Sequence, residues 1–445
     1  MRTQFTPAQL ADPAIAEAET ILRKCVHCGF CTATCPTYLL LGDELDSPRG
    51  RISQIQAMLE SDSAPTPQTV KHVDRCLSCL ACATTCPSGV TYGHLIDQAR
   101  AHIEARYRRP LTERWLRGLV SAVLTRPRLF RAAARASALF APMAPFAPGR
   151  LQGMMRMAPP RLPPAQPTDR PGVHPAAGAR RMRVALLGGC VQPGLAPQIN
   201  AAAVRLLTRL GAEVVITPAD GCCGSLPLHL GQTERARALA RRQIEGWIAE
   251  MEGPGLDAIV VTASGCGSAL KDYGHLFQDD PAWAERAARV SALAADVTEL
   301  VGRLGLGAAG QAPPLTVAYH SACSLQHGQG LRREPQALLV QAGFTVVEPR
   351  EAHVCCGSAG TYNLLQPEIA GRLKTRKAEH LAATGAEVIA AGNIGCLTQI
   401  GHAAGLPIVH TVELLDWATG GPAPQFGPPR VRRGVGAASP DREPE

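Results

Sequence analysis

The sequence has few aromatic side chains, no long uncharged apolar run and little net charge for its length. Phe, Trp and Tyr make up 4% of its 445 residues, and the formal net charge is +8. No stretch of about 18 apolar residues is free of charge, which excludes a typical transmembrane helix. The N-terminal segment contains acidic residues and no apolar core, so we expect no secretory signal. The weak charge gives no reason to expect a nucleic-acid partner.

The sequence also lacks the glycine pattern of a dinucleotide site. No Gly-x-Gly-x-x-Gly follows a predicted strand and opens a predicted helix. The segments LLGGCVQPG and ASGCGS carry a cysteine where a phosphate-binding loop needs open backbone. No arrangement of a nucleophile and a base stands out either. We therefore expect that this chain binds neither a flavin nor a nicotinamide nucleotide.

Cysteine, by contrast, is abundant. In a chain without an export signal, 16 cysteines favour metal binding in a reducing compartment over disulfides. Half of them occur in two copies of the run Cys-x-x-Cys-x-x-Cys-x-x-x-Cys-Pro. The first motif consists of Cys25, Cys28, Cys31, Cys35 and Pro36, and the second motif of Cys76, Cys79, Cys82, Cys86 and Pro87.

This spacing is that of the bacterial two-cluster ferredoxins, in which the fourth cysteine of each run ligates the other cluster. We therefore expect two [4Fe-4S] clusters. The predicted ligand sets are Cys25, Cys28, Cys31 with Cys86, and Cys76, Cys79, Cys82 with Cys35. Zinc sites and disulfides are the alternatives, but zinc usually takes paired cysteines with a longer gap between the pairs. The motifs predict transfer of single electrons.

The rest of the chain alternates between short β-rich runs and helical stretches, which predicts α/β units with parallel strands. The predicted fold is a helical dicluster ferredoxin-type domain followed by two repeated α/β cysteine-rich domains. The predicted segments are a ferredoxin-type domain (1–105), a basic helical stretch with a Pro-rich linker (106–182), a first repeat (183–305), a second repeat (306–420) and a disordered tail (421–445).

The basic stretch allows two interpretations. Its arginines alternate with apolar side chains between residues 106 and 135. Such a helix can lie on an anionic membrane surface. Alternatively it packs on its own protein or on a partner subunit, which is the interpretation that we favour. The Pro-rich segment 159–178 is read as a linker.

The two repeats carry matched cysteines. VALLGGC (184–190) aligns with VAYHSAC (317–323), and each repeat continues to a Cys-Cys-Gly and a further cysteine. The first set is Cys190, Cys222, Cys223 and Cys266, and the second is Cys323, Cys355, Cys356 and Cys396. A duplicated set of four thiols predicts a site, which is a further cluster, a redox dithiol or a relic of either. His320 and His353 accompany only the second set, and a hydrogen-bonded structural role is expected for each, with a ligand or proton donor at His320 as the alternative.

The repeated pattern resembles the cysteine-rich CCG domain of heterodisulfide reductase and related subunits. In that family the last part of the motif is Cys-x-x-Cys, and the five thiols of a repeat can hold a non-cubane cluster. Here Ala263 and Asn393 stand at the position of the additional cysteine. Each repeat of this sequence therefore has four thiols, where the repeats of that family have five.

The order of these parts resembles that of iron–sulfur subunits of membrane-linked flavin dehydrogenases. The stretches CVHCGFCTATCPTYLLLGDELDSPRGRI (25–52), TASGCG (262–267), CCGSAGTYNL (355–364) and NIGC (393–396) are similar to those of glycolate oxidase iron–sulfur subunits. The resemblance implies a subunit of an oxidoreductase complex in the cytoplasm, or peripheral on the inner face of the plasma membrane. It implies FAD on partner subunits that oxidise glycolate to glyoxylate, with a quinone or another respiratory-chain component as acceptor. The alternatives are a subunit for lactate or glycerol 3-phosphate, and a thiol/disulfide oxidoreductase.

Overall fold

The N-terminal part of the molecule is helical. The computed structural model describes residues 1–61, 63–140, 143, 162–401 and 403–426. The helices of this part are α1 (Pro7–Leu10), α2 (Pro13–Lys24), α3 (Pro36–Leu41), α4 (Pro48–Glu60), α5 (Pro67–Asp74), α6 (Ala81–Thr85), α7 (Tyr92–Arg106), α8 (Leu111–Leu124) and α9 (Pro127–Leu139).

Prolines and polar caps set the starts of these helices. Helices α2, α4 and α5 each begin at a proline, whose missing N–H is not needed there. The residues before them, Asp12, Ser47 and Thr66, accept a hydrogen bond from a backbone N–H of the first turn. Cys35 and Cys86 precede prolines and are both extended, with ψ of 115°. The chain therefore turns away at the fourth cysteine of each motif.

The first repeat contains a five-stranded sheet with the order β1-β3-β2-β4-β5. Its strands are β1 (Gly172–His174), β2 (Met182–Leu187), β3 (Ala212–Ile216), β4 (Ala258–Val261) and β5 (Ala294–Asp296). Its helices are α10 (Gln192–Leu195), α11 (Pro197–Arg209), α12 (Ser225–Leu228), α13 (Thr233–Glu252), α14 (Ser264–Lys271), α15 (Tyr273–Leu276), α16 (Ala284–Leu293) and α17 (Val297–Leu304).

One strand of this sheet differs from the prediction. Strand β1 lies inside the segment read as a linker, 159–178, and pairs antiparallel with β3, with Val173 opposite Val215. The other pairings in the sheet are parallel, as expected. The strand is three residues long and sits at the edge of the sheet, so it leaves no alternating pattern of sufficient length in the sequence.

The second repeat contains a four-stranded parallel sheet with the order β7-β6-β8-β9. Its strands are β6 (Thr316–His320), β7 (Thr345–Val347), β8 (Val388–Ala391) and β9 (Ile408–His410). A π-helical turn covers Ser324–Gly328, and the α-helices are α18 (Glu334–Gln341), α19 (Tyr362–Leu365), α20 (Pro367–Ala382), α21 (Ile394–Ile400) and α22 (Thr411–Ala418). The predicted fold class is confirmed.

The two repeats share one hydrophobic core. Val184 and Val214 of the first sheet belong to the same buried cluster as Val317 and Val388 of the second. The predicted tail, 421–445, lies outside the described residues beyond Phe426.

The basic stretch folds as two helices, α8 and α9, that pack on the rest of the chain. Arg117 is buried against Asp74, and the ring of Phe130 lies against Gly194. The chain reverses between the helices because Arg126 precedes Pro127 and is therefore extended. Within the described ranges, no helix has the length and apolarity needed to cross a bilayer.

Candidate iron–sulfur and thiol sites

The first predicted ligand set comes together around one cavity near the surface. Cys25, Cys28, Cys31 and Cys86 all line it, and Cys82 contributes to the same wall. Cys28 is exposed, while Cys31 and Cys86 are partly buried. The fourth cysteine of the second motif therefore lies with the first three of the first motif.

The second predicted set is more deeply buried. Cys35, Cys76, Cys79 and Cys82 each belong to the buried residues. Burial raises the pKa of Cys82, and so does its proximity to the other three. The two sets therefore differ in solvent access, one lying at the surface and the other in the interior.

The loops of the two motifs share an unusual backbone. His27 and Ser78, each two residues after the first cysteine of its motif, have φ of 53° and 49°. Gly29 and Leu80, each directly after the second cysteine, have φ of 86° and 61°. Left-handed residues curl a loop so that successive N–H groups point to one side, which suits an anionic cluster. Three of these four residues are not glycine, so the loops carry backbone strain of the kind found at functional sites.

A buried arginine lies beside the second set. Arg51 of α4 is 1% exposed, and its Nη1 is 3.8 Å from the Sγ of Cys35. Its Nη2 donates to Asp46 at 3.1 Å. Burial opposes the charge, but Cys76, Tyr92 and Cys35 raise the pKa of Arg51 above its usual value. The guanidinium therefore stays charged and stabilises negative charge on these thiols.

The Cys-Cys-Gly segments have the same geometry in both repeats. Gly224 and Gly357 have φ of +87° and +88°, and the N–H of each donates to the Sγ of Cys222 or Cys355 at 3.4 Å. A Cβ on either glycine would lie 2.7 Å from a carbonyl oxygen, that of Ala236 in α13 or that of Ala370 in α20. Only glycine fits such a position without displacing the backbone, which explains its presence in both copies.

The four thiols of the first repeat lie close together. Cys222 is a neighbour of Cys190 and Cys223, and Cys223 is a neighbour of Cys266. The proximity of Cys190 and Cys223 lowers the pKa of Cys222, whereas the pKa of Cys190 and that of Cys223 are raised. Cys222 therefore deprotonates more readily than Cys190 or Cys223.

The four thiols of the second repeat also meet, and they lie beside the ferredoxin-type domain. The Sγ of Cys323 is 3.8 Å from that of Cys355, and Cys356 is a close neighbour of Cys355 and Cys396. Cys79 packs in one apolar cluster with Cys355. Burial and then Cys323 raise the pKa of Cys79. The second repeat is thus in contact with the buried ligand set.

Three pairs of equivalent positions distinguish the two thiol groups. Leu187, Asp220 and Gln243 of the first repeat correspond to His320, His353 and Lys377 of the second. Lys377 is 2% exposed, donates from Nζ to the carbonyl oxygen of Glu351 at 2.7 Å and lies close to three of the thiols. Burial and Lys377 lower the pKa of His320 to about 3.

The hydrogen bonding expected for His320 is not found among the described residues. The ring is 1% exposed, and neither nitrogen has a hydrogen-bond partner among the described residues. His353 is less buried, and burial lowers its pKa as well. His320 is therefore a buried polar group without a partner in the described part of the chain, and it lies next to Cys356 and Cys396.

All eight repeat cysteines line one large cavity of about 1160 Å³. The walls include apolar side chains of α8 and α9, among them Val120, Val123 and Phe130. At one side the cavity reaches Leu119 and Phe140, which are 45% and 53% exposed. An apolar chamber of this size can hold an apolar small molecule beside these thiols.

Sequence reasoning missed Arg51, Lys377 and the contribution of α8 and α9 to the cavity. Charged side chains are normally exposed, and nothing near Arg51 or Lys377 in the sequence marks them as buried. The apolar positions of α8 indicate a packed face but not what the face covers. Cys79 and Cys355 share an apolar cluster although they are far apart in the chain, so no local pattern predicts their proximity.

The fold and these sites define an iron–sulfur protein with a dicluster ferredoxin domain and two cysteine-rich repeats. The model of the 4Fe-4S dicluster domain matches residues 21–90, and that of the cysteine-rich CCG domain matches residues 184–271 and 317–401. Both matches contain the cysteines described above.

Two similar proteins match nearly the whole chain. It is 41% identical to the glycolate oxidase iron-sulfur subunit of Escherichia coli (strain K12) over 94% of this chain and 99% of that protein. It is 32% identical to the probable glycolate oxidase iron-sulfur subunit of Bacillus subtilis over 90% of this chain and 94% of that protein. Lactate utilization protein A of Exiguobacterium sp. is 32% identical over 52% of this chain and 96% of that protein.

The chain belongs to the family of glycolate oxidase iron–sulfur subunits. Membership implies electron transfer through iron–sulfur clusters, within a complex that contains other subunits.

Proposed function

We propose that this chain is the electron-transfer subunit of a glycolate dehydrogenase complex. FAD on a partner subunit takes two electrons from glycolate and yields glyoxylate. This chain then accepts the electrons one at a time through two [4Fe-4S] clusters and passes them to a quinone. Each cluster is held by three cysteines of one motif and the fourth cysteine of the other. The proposal rests on the 41% sequence identity to a glycolate oxidase iron-sulfur subunit over 94% of this chain. It also rests on the series of cysteine sites between the surface and the interior.

Electrons enter at the first motif. Its loop exposes Cys28 and, on either side of it, Val26 and Phe30, which are 68% and 63% exposed. Apolar side chains grouped on a surface typically mark a protein interface. The flavoprotein partner docks on this loop, where its cofactor approaches the first cluster most closely.

From the first motif, the route leads through the buried set to the second repeat. Cys82 borders the first cavity and belongs to the buried set, while Cys79 of that set packs with Cys355. The thiols of the second repeat in turn line the large apolar cavity. The clusters supply single-electron steps, and the chain contributes their spacing and the charge of Arg51.

The apolar cavity is the place where the quinone accepts electrons. Quinones of the respiratory chain combine a redox-active ring with an apolar tail, and the cavity combines thiols with walls from α8 and α9. The same helices carry Arg114, Arg128 and Arg135, which suit contact with an anionic lipid surface. The protein works in the cytoplasm with this face toward the inner side of the plasma membrane.

The test is anaerobic co-purification with the partner subunits, followed by glycolate-dependent reduction of a dye and of a soluble quinone. Cys28→Ser should abolish both activities. Val26→Glu should abolish them with the iron content unchanged, because it charges the docking loop. Val340→Glu is the matched control, since Val340 is 58% exposed on α18 of the second repeat. Equal effects of the two glutamate variants would contradict the docking site.

A thiol/disulfide oxidoreductase is the second candidate, favoured by the low pKa of Cys222 in a group of four thiols. It predicts that Cys222→Ser abolishes activity and that a disulfide substrate reoxidises the reduced protein. Reduction of dye by lactate but not by glycolate would assign the chain to a lactate dehydrogenase complex instead. Glycerol 3-phosphate is tested in the same assay.

A further inference from the structure

His320 lies at the end of β6, where its ring faces the thiols of the second repeat. One ring nitrogen and the Sγ atoms of Cys356 and Cys396 all lie within 4.8 Å of one another. Neither ring nitrogen has a hydrogen-bond partner among the described residues. Buried polar atoms nearly always have a partner, and leaving one without costs about 1–3 kcal/mol. A neutral imidazole in this position is well placed to donate a lone pair to a metal.

We propose that His320 is the fifth protein ligand of an iron–sulfur cluster in the second repeat. The other ligands are the four thiolates of that repeat, Cys323, Cys355, Cys356 and Cys396. Asn393 stands where related repeats have an additional cysteine, and the imidazole supplies the missing donor from a different strand. Histidine replaces cysteine on iron in other cluster types, so the substitution is chemically reasonable.

The first repeat lacks this ligand. Leu187 occupies the position of His320 and cannot bind a metal. The first repeat also has Gln243 in place of Lys377, so it lacks the buried ammonium that offsets the negative charge of four thiolates. Near its thiols it instead carries the carboxyl group of Asp220, which accepts a bond from the N–H of Gly188 at 2.9 Å. We therefore assign the additional cluster to the second repeat alone.

Iron fits these donors better than zinc. A structural zinc site is complete with four ligands, and the second repeat offers five donors. The site also adjoins Cys79 of the buried ferredoxin set, which is useful for a centre that exchanges electrons. The choice of iron over zinc rests on the proposed electron-transfer function; the assignment of His320 as a ligand does not.

The test measures the metal and sulfide content of the full chain, purified anaerobically, together with pulsed EPR of the reduced protein. Two ferredoxin clusters account for about eight irons, and a four-iron cluster in the second repeat brings the expected total in the wild type to about twelve. We also expect a strong nitrogen coupling from the imidazole. His320→Leu, which copies Leu187, should return the content to about eight irons and remove the coupling. His353→Leu is the matched control and should leave both unchanged.

His320→Cys is a second variant, which separates loss of the ligand from misfolding of His320→Leu. It supplies a fifth thiolate, so it should keep about twelve irons while losing the nitrogen coupling. Eight irons in the wild type, zinc in place of the additional iron, or the same coupling in the wild type and His320→Cys would each overturn the proposal. Twelve irons without glycolate-dependent reduction would refute the proposed function and leave the ligand assignment intact.

Discussion

Replacing Arg51 by Gln is expected to lower the reduction potential of the cluster that we propose Cys35 ligates. The guanidinium is 1% exposed and lies 3.8 Å from the Sγ of Cys35. A positive charge there stabilises the added electron, so its removal makes reduction harder. With an effective dielectric constant of about 20 and a separation of about 8 Å to a charge spread over the cluster, the interaction is about 2 kcal/mol.

That energy corresponds to about 90 mV, since an elementary charge exchanges about 2.3 kcal/mol per 100 mV. Asp46 is buried beside the guanidinium, but its charge is the same in both proteins, so the expected decrease remains about 90 mV. Asp46 keeps its bonds to His72 at 2.9 Å and Arg75 at 2.8 Å. The variant should therefore still fold and assemble its clusters.

The assay is a redox titration of the purified complex followed by EPR, with Arg51→Lys as the control that keeps the charge. The lysine variant should shift the potential much less than the glutamine variant. The EPR amplitude at full reduction reports whether both clusters are present in each sample. An unchanged or raised potential in Arg51→Gln, or equal decreases in both variants, would refute the electrostatic argument.

Three further predictions test the packing and the cluster ligands. Burial raises the pKa of Glu413 from 4.5 to about 7, so the folded state holds a proton that the unfolded state releases, and stability falls as pH rises through that interval. Glu413→Gln should therefore raise the melting temperature more at pH 8 than at pH 5, and a pH-independent difference would contradict this. Cys86→Ser should perturb the same EPR signal as Cys28→Ser; an effect on the other signal would rule out the cross-ligation. Gly357→Ala should destabilise the chain by about 3 kcal/mol, because its Cβ meets a carbonyl oxygen. Gly385→Ala should cost only about 1 kcal/mol, since nothing lies within 4 Å of its Cβ; equal losses in denaturant unfolding would contradict the steric argument.

The features that the sequence predicts best are those that spacing alone determines. The two cysteine motifs and the duplicated Cys-Cys-Gly segments repeat at fixed intervals, and their loops repeat the same backbone angles in the structure. The alternation of strands and helices likewise predicts parallel sheets, because buried parallel strands have a clear apolar signature. The fold class followed from these patterns.

The features that the sequence does not predict depend on contacts between distant segments. Cys79 and Cys355 meet because the ferredoxin-type domain packs on the second repeat. The burial of Lys377 depends on the carbonyl oxygen of Glu351, which lies in a loop before the Cys-Cys-Gly segment. Strand β1 forms only because β3 offers an open edge. None of these has a local signal of its own.

The left-handed residues of the two motif loops make the shape of each loop depend on what its cysteines bind. His27, Ser78 and Leu80 each hold a backbone conformation that costs about 1–3 kcal/mol and persists only where the surroundings enforce it. A cluster bound by the adjacent cysteines would supply that constraint. We therefore expect that losing the clusters to an oxidant would open the chain to proteases, beginning at the exposed loop around Cys28.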